Sequence, residues 1–277
     1  MHRRMTCSPE EWAQRDRFES LYVRAQSPVM LTIERNVCGC DYGGNSWTTQ
    51  AEADQMVARL ALHPGVRLLD LGAGSGWPGL YMGKTSGCDV VMVDLSLVGI
   101  RIAGKRADND GVPGRVWAAV ADAAALPFPD GSFDAISHSD LLCCLTQKRS
   151  VLAACRRVIR RLVRMVFTVI SVVPGLSAEQ HRLAVANGPE FIETDTDYPT
   201  LLAQTGWIIT GNEDITVAYA ASCRHQLEAD EMQKDGLVAL IGASALTERL
   251  DGWRSKLPAI CDNLLRREIF VAVPRPE

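Results

Sequence analysis

The sequence lacks the features that would place the protein in a membrane or outside the cell. No apolar run approaches the roughly 18 residues that a helix needs to cross a bilayer. The N-terminus has two arginines but no apolar signal-peptide core. Its nine cysteines are scattered through 277 residues rather than concentrated in a short secreted chain. We therefore expect a cytoplasmic protein with reduced thiols and no membrane partner.

An excess of positive charge and the spacing of a metal site are also missing. The chain has 29 lysines and arginines against 33 aspartates and glutamates, a net charge of -4, so no global positive field attracts nucleic acid. Cys38 and Cys40 form a lone C-x-C, and Cys143 and Cys144 are adjacent, whereas a structural zinc site needs paired C-x-x-C spacing. The sequence thus predicts no nucleic-acid partner and no metal.

From Gln50 to about Val273, short β-branched runs alternate with helical segments, which is typical of βαβ units and a mostly parallel sheet. Thr49 and Glu52 form a capping box that opens the first of these helices, and Ser96 is the predicted N-cap of a later one. A further helix is predicted over 147–161. The predicted strands, in chain order, cover residues 66–71, 89–93, 115–120, 132–137, 164–172, 207–210 and 267–273.

Two segments depart from this alternation and predict a lid. Residues 1–48 form a helical or irregular lead, and residues from about 217 to 265 are helical in pattern and precede the last strand. Neither segment is large enough to be a separate domain. We therefore expect an N-terminal lead over 1–48 and one domain over 49–277 that contains the helical insertion.

The sharpest pattern is Asp70-Leu71-Gly72-Ala73-Gly74-Ser75-Gly76, where an apolar strand ends in a glycine-rich loop. Glycine allows positive φ angles and lets a ligand approach the backbone at the carboxyl ends of the strands. Gly74 to Gly79 also fits the dinucleotide pattern G-x-G-x-x-G, with Asp94 twenty residues after Gly74, but its first glycine does not follow the strand directly. An acid at the strand tip disfavours a pyrophosphate and favours a cationic ligand such as S-adenosylmethionine.

This loop resembles motif I of the class I S-adenosylmethionine-dependent methyltransferases. Residues 90–96, 121–123 and 126–134 are similar to later motifs of that family, and together the motifs extend from about Thr48 to Val172. The resemblance implies a Rossmann-like α/β fold with a seven-stranded, mostly parallel sheet, an antiparallel last strand and helices on both faces. It also implies S-adenosylmethionine as the cofactor.

The resemblance carries roles onto matching positions. It implies that the loop glycines cradle the methionine part of the cofactor while Asp70 orients it, that Asp94 accepts from the ribose hydroxyls, and that Asp122 reads adenine. The full set of residues implied to hold the cofactor is Asp70, Gly72, Ala73, Gly74, Asp94, Leu95, Asp122, Ala123 and Ser137.

One stretch departs from the family pattern. The family usually has a Pro-Gly-Gly turn before the fifth strand, whereas this chain has Arg157-Val158-Ile159-Arg160-Arg161-Leu162. Without glycine a left-handed cap is less favourable, so we expect an altered connection rather than lost chemistry. The five arginines of residues 156–164 would form a solvated helix face or a nucleic-acid patch, and the acidic total favours the helix face.

The predicted acceptor is a small molecule, with oxygen favoured over carbon or nitrogen as the methylated atom. A hydroxyl acceptor needs a base, and His138 follows the fourth strand at the carboxyl edge, with Asp140 two residues on. The pair fits a base with its orienting acid; alternatively, His138 only packs and Asp140 holds a substrate group. Further candidates for the acceptor pocket, from the lid side, are His181, Trp207, Asp214, Thr216 and His225.

Two other functions stay open. A nicotinamide-dependent oxidoreductase would use the pattern from Gly74 to Gly79, and a noncatalytic module would bind S-adenosylmethionine without transferring its methyl group. The sequence specifies neither the acceptor nor the number of subunits.

Overall fold

The computed structural model describes residues 9–276. The N-terminal arginines and the start of the predicted lead, residues 1–8, lie outside the described residues, as does Glu277. The strands are β1 (Arg67–Leu71), β2 (Asp89–Asp94), β3 (Val116–Val120), β4 (Phe133–Ser139), β5 (Ile159–Val172), β6 (Trp207–Asp214) and β7 (Leu265–Pro274). The helices are α1 (Pro9–Ala25), α2 (Pro28–Cys38), α3 (Gln50–Leu60), α4 (Gly79–Ser86), α5 (Leu97–Asp110), α6 (Lys148–Val158), α7 (Ala178–Asn187), α8 (Tyr198–Gln204), α9 (Thr216–Met232), α10 (Lys234–Ile241) and α11 (Ala243–Cys261).

The seven strands form one sheet in the order β3-β2-β1-β4-β5-β7-β6. Strands β1 to β5 are parallel, and β7 runs antiparallel to both β5 and β6, which confirms the predicted antiparallel last strand. The strand order reverses between β1 and β4. In open α/β sheets such a reversal leaves a crevice at the carboxyl ends of the strands, where ligands bind.

Alternate residues of each strand serve two cores, one on each face of the sheet. Leu69 and Phe167 belong to one core, whereas Leu68 and Val166 belong to the other. This alternation follows from the period of two along a strand, and burial on both faces explains the apolar residues at the centre of β1 and β2.

Helix starts follow the predicted caps. The Thr49 side chain accepts from the Glu52 backbone N–H and the Glu52 carboxylate accepts from the Thr49 N–H, so both halves of the capping box form. Ser96 Oγ accepts from the Gly99 N–H at 3.0 Å and caps α5. These local hydrogen bonds fix the N-termini of the helices that follow the lead and β2.

In the stretch without the Pro-Gly-Gly turn, the helix predicted over 147–161 ends earlier than predicted. Helix α6 ends at Val158, three residues early, because β5 begins at Ile159. The turn falls instead within the strand, where Leu162 has a φ of +63° and is 94% exposed, and the β4–β5 register shifts at that point. The altered connection predicted for this stretch is therefore observed.

The arginines of this stretch are not a solvated helix face, because most of them hold neighbouring loops. Arg157 donates to the carbonyls of Leu126 and Phe128 and to the Asp130 carboxylate. Arg160 pairs with Asp134 on β4. These contacts tie the end of α6 and the start of β5 to β4 and to the segment that leads into it.

The two predicted lid segments pack on each other at one edge of the sheet. Helix α2 of the lead contacts α9 of the insertion, and Trp47 lies edge-on to Tyr219 of α9 and Trp253 of α11, at 5.2 and 5.5 Å between ring centroids. The division of the chain at residue 48 stays a prediction. Between residues 9 and 276, no helix combines the length and the apolar character needed to span a bilayer.

Candidate active site

A cavity of about 600 Å³ opens at the carboxyl ends of the central strands. Its floor includes Leu71 of β1, Val93 of β2 and Ile170 of β5. Helix α1 and residues 44–47 form its roof. The roof is held in place by hydrogen bonds from α1 carboxylates, since Glu11 accepts from the Thr146 N–H and Glu19 from the Leu97 N–H. The cavity therefore lies where the strand order reverses.

The glycine loop forms one wall of this cavity. Gly72 and Gly74 have φ angles of +66° and +51°, in the left-handed region that favours glycine. The N–H groups of Gly72 and Ala73 both donate to the Val93 carbonyl, at 2.8 and 3.1 Å. A Cβ at Gly74 would lie 2.5 Å from the Tyr22 hydroxyl of α1, so the roof closes directly onto bare backbone.

Asp70 lies beside this loop and is buried. Its Oδ1 accepts from the Ser137 hydroxyl at 2.6 Å, and the backbone of Gly79 also stabilises its carboxylate. Burial raises the pKa of Asp70 to about 7. A buried carboxylate that lines the cavity and can accept further hydrogen bonds suits the ammonium of an amino-acid ligand, so this observation fits the methionine part of the expected cofactor.

Two further carboxylates follow the next two strands. Asp94 accepts from the N–H groups of Gly74 and Ser96, at 2.8 and 2.7 Å, and burial raises its pKa. Asp122 caps the short 3₁₀ turn Ala123–Ala125 by accepting from the Ala124 N–H. A carboxylate can accept about four hydrogen bonds, so both groups retain acceptor capacity for ribose hydroxyls or an adenine amino group.

The structure brings most of the predicted site residues to the cavity wall. Those that line it are Asp70, Gly72, Asp94, Leu95, Asp122, Ala123 and Asp140. Ala73 and Gly74 form the loop behind Gly72, and Ser137 lies behind Asp70 as its hydrogen-bond donor. Within residues 9–276, no group of three or more His, Cys, Asp or Glu residues is arranged to hold a metal.

His138 does not reach the cavity. Its ring is fully buried and stacks on Phe167, with 4.5 Å between ring centroids, and neither ring nitrogen has a hydrogen-bond partner in the described part of the chain. Burial lowers its pKa to about 3. The strand explains this placement: β4 continues to Ser139 rather than ending at Ser137, so His138 stays inside the sheet. This geometry corrects the sequence expectation that His138 faces the reacting atoms.

Asp140, the second predicted catalytic residue, does line the cavity. It follows β4 with a φ of +51°. Arg267 of β7 donates its Nε to both carboxylate oxygens, at 3.0 and 3.1 Å. The same guanidinium also donates to both oxygens of Glu52, at 2.8 and 3.0 Å. One buried cation therefore joins two carboxylates, which leaves a net negative charge behind this wall.

The acceptor end of the cavity contains residues that the sequence did not reveal. The roof contributes Trp47, the segment after α7 contributes Gly188, and α11 contributes Lys256. No local sequence pattern marked Lys256 within its helix.

The five lid-side candidates lie elsewhere in the structure. Trp207 is buried and donates to the Leu152 carbonyl, Asp214 accepts from the N–H of Thr216 at the start of α9, and His181 and His225 do not line the cavity. The prediction that these five residues line the acceptor pocket is therefore wrong.

Comparison with known proteins agrees with this geometry. Residues 69–167 match a family model described as a methyltransferase domain. That segment begins on β1 and ends on β5, so it contains the glycine loop and the carboxylates that follow β1 to β4.

Two curated relatives cover more of the chain. It is 25% identical over 218 residues to phosphoethanolamine N-methyltransferase 1 of Zea mays, 79% of this chain and 43% of that protein. It is 30% identical over 167 residues to 27-O-demethylrifamycin SV methyltransferase of Amycolatopsis mediterranei, 59% of this chain and 61% of that protein. The chain therefore spans less than two thirds of the length of these relatives.

A solved structure shares the fold. Phosphoethanolamine N-methyltransferase 2 of Haemonchus contortus, in complex with phosphomonomethylethanolamine and S-adenosylhomocysteine, has a TM-score of 0.76 at 22% identity and covers 94% of this chain and 60% of that one. This likeness confirms the predicted Rossmann-like α/β fold.

Proposed function

We propose that this chain, which is a class I S-adenosylmethionine-dependent methyltransferase, transfers the methyl group of that cofactor to a small molecule. The observation that carries the proposal is the meeting of three carboxylates along one wall of the cavity. Asp70, Asp94 and Asp122 stand at the carboxyl ends of three neighbouring strands, beside the glycine loop. We propose that each holds a different part of the cofactor.

The charge of this wall favours the cofactor over a dinucleotide. When bound, S-adenosylmethionine supplies a methyl group on a positively charged sulfur, and it also carries an ammonium. Asp70 would hold the ammonium, Asp94 the ribose hydroxyls and Asp122 the adenine amino group. A nicotinamide dinucleotide would instead bring a diphosphate next to these carboxylates, where like charges repel.

Asp140 is the residue that we propose to hold the acceptor. Its carboxylate lines the cavity, and Arg267 fixes its orientation. A carboxylate in this position accepts a hydrogen bond from a hydroxyl or an amine and so aligns the acceptor atom with the methyl group. The preference for oxygen depended on His138 as a base. Because that ring does not reach the cavity, we propose hydroxyl and amine acceptors alike.

The size of the cavity supports a small acceptor. Cofactor and acceptor must share about 600 Å³, a volume typical of a single small-molecule site. We therefore propose an acceptor no larger than the cofactor itself. The predictions of a cytoplasmic location and of no nucleic-acid partner stay predictions.

Calorimetry with S-adenosylhomocysteine and with NADH tests this function on the purified chain. We expect saturable heat with S-adenosylhomocysteine and none with NADH. A second step incubates the protein with methyl-labelled S-adenosylmethionine and a panel of small alcohols and amines that includes phosphoethanolamine. Binding of NADH alone would overturn the function in favour of an oxidoreductase. Cofactor binding without any labelled product across the panel would indicate a noncatalytic module.

A further inference from the structure

Lys256, at the acceptor end, differs from the other described cations of the cavity because it has no ion-pair partner among the described residues. Three cations line the cavity within residues 9–276: Arg15, Arg17 and Lys256. Arg15 pairs with Asp16 on the same helix, and Arg17 pairs with Glu190 at 3.2 Å. Lys256 forms no hydrogen bond or ion pair with any described residue. Its ammonium instead lies over the ring of Trp253, 5.6 Å from the centroid.

The surroundings of Lys256 do not neutralise its charge. The groups that interact with its ammonium are the thiols of Cys143, Cys144 and Cys223. Burial raises the pKa of Cys223 to about 12 and that of Cys143 well above its usual value, so these two thiols stay neutral. Burial also lowers the pKa of Lys256 itself. A half-buried ammonium without a counter-ion is unfavourable unless a ligand supplies the negative charge.

Trp253, the ring beneath the Lys256 ammonium, is itself fixed by two contacts. Trp253 packs edge-on against Trp47 of the cavity roof, and its indole N–H donates to the Asp230 carboxylate at 2.8 Å. Asp230 is fully buried and is already paired with Arg249, so its charge is neutralised locally. This contact places Lys256 at the cavity without giving it an anion.

We propose that Lys256 binds an oxyanion of the acceptor, a phosphate or a carboxylate, so that the inserted helix α11 selects acceptors that carry negative charge. This inference rests on the proposed function. Asp140 lies on the wall of the same cavity, so the acceptor would present a hydroxyl or amine to Asp140 and an anionic group to Lys256. Asp140 and Lys256 would then bind the two ends of one small molecule.

The test measures anion binding apart from methyl transfer. Protein saturated with S-adenosylhomocysteine is titrated with inorganic phosphate and, in a parallel arm, with acetate, in a low-salt buffer. We expect saturable binding of one of these ions, and the tighter one identifies the class of acceptor. In Lys256→Gln the affinity for that ion should fall about tenfold or more, as expected for the loss of one charge-assisted hydrogen bond.

Two further variants control this measurement. Lys256→Arg keeps the positive charge and should retain the affinity of the wild type within about threefold. Lys234→Gln removes an exposed lysine of the same insertion and should leave anion binding unchanged. Thermal melting of each variant establishes that it is folded.

Three results would overturn the inference. Wild-type protein that binds S-adenosylhomocysteine but neither anion would contradict it and leave the proposed function intact. If Lys256→Gln lost affinity for the anion and for S-adenosylhomocysteine equally, Lys256 would bind the cofactor rather than the acceptor. Unchanged anion affinity in that variant would place the anion elsewhere. Failure of the wild type to bind S-adenosylhomocysteine would instead remove the proposed function.

Discussion

The two ends of the cavity are built in different ways. The cofactor end is formed by the carboxyl ends of β1, β2 and β3 and by the short loops that follow them. Its carboxylates accept hydrogen bonds from backbone N–H groups and from the Ser137 hydroxyl of β4. The acceptor end joins Trp47, Asp140, Gly188 and Lys256, which are far apart in the chain. The first end is encoded locally, whereas the second depends on how the lid packs.

The two ends of the cavity also differ in charge. At the cofactor end, Asp70 and Asp94 accept hydrogen bonds from a hydroxyl and from backbone N–H groups of the described residues, and their negative charge favours a positive ligand. At the acceptor end, Asp140 is paired with Arg267 of β7, while Lys256 has no counter-ion among the described residues. Substitutions at the two ends should therefore separate cofactor binding from acceptor binding.

The largest expected effect is at the cofactor end, in Asp94→Ala. This change removes two hydrogen bonds that hold the glycine loop and α5, together with the proposed ribose contact. We expect the affinity for S-adenosylhomocysteine to fall about 100-fold, or roughly 3 kcal/mol, in line with hydrogen bonds to a charged group. Calorimetry measures it, with the exposed Asp108→Ala as the matched control. A loss below about fivefold would contradict the locally encoded cofactor end.

His138 lines neither end of the cavity, so its substitution should affect stability rather than binding. Its folded pKa of about 3 lies below the ordinary value of 6.5, so the unfolded state takes up a proton first as the pH falls. Stability should therefore fall by about 1.4 kcal/mol for each pH unit below 6.5. His138→Leu should lack this loss and should keep methyl transfer.

Urea unfolding of wild type and His138→Leu at pH 7 and pH 5 measures the difference. The comparison between the two pH values removes the effect of the substitution on packing. If the variant binds cofactor normally but no longer transfers the methyl group, His138 regains a role as the base.

Asp70 should make cofactor binding depend on pH. Its pKa in the free protein is about 7, and an ammonium binds the ionised form, so a proton must leave when the cofactor binds at lower pH. The affinity for S-adenosylhomocysteine should fall about tenfold for each pH unit below 7. Asp70→Asn should bind more weakly above pH 7 and show little pH dependence. Calorimetry between pH 6 and pH 8 tests this, and a parallel slope in both proteins would assign the titration to another group.

The smallest effect is expected where the lid meets the acceptor end. Arg17 of α1 pairs with Glu190 across the cavity, and both side chains are about half exposed. Exposed ion pairs contribute at most about 1 kcal/mol, so Arg17→Ala should speed release of S-adenosylhomocysteine about twofold to threefold at low salt. Stopped-flow tryptophan fluorescence measures the rate, with Arg24→Ala of the same helix as control. An effect that persists at high salt would indicate that Arg17 acts by packing.

Much of the fold and the cofactor end could be predicted because their determinants are local. The capping box at Thr49 and the N-cap at Ser96 depend on neighbouring residues only, and the motif around each strand end marks its carboxylate. The errors arose where the decisive contact is distant. Strand β4 extends to Ser139 because it pairs with Thr168 of β5, and this pairing turns His138 into the sheet.

The acceptor end could not be predicted for the same reason. Lys256 sits in a helix whose pattern gives no indication of which face meets the cavity, and its position depends on Trp253 packing against Trp47. The five lid-side candidates were chosen by residue type, and residue type does not specify tertiary contacts.

The contact between Arg267 and Asp140 has a consequence for protein synthesis. Ribosomes make the chain from its N-terminus, so all three cofactor carboxylates are present once residue 122 has been added. Asp140 receives its guanidinium only after residue 267 has also left the exit tunnel and β7 has inserted between β5 and β6. The wall that faces the acceptor is therefore completed after the cofactor carboxylates, once β7 has joined the sheet.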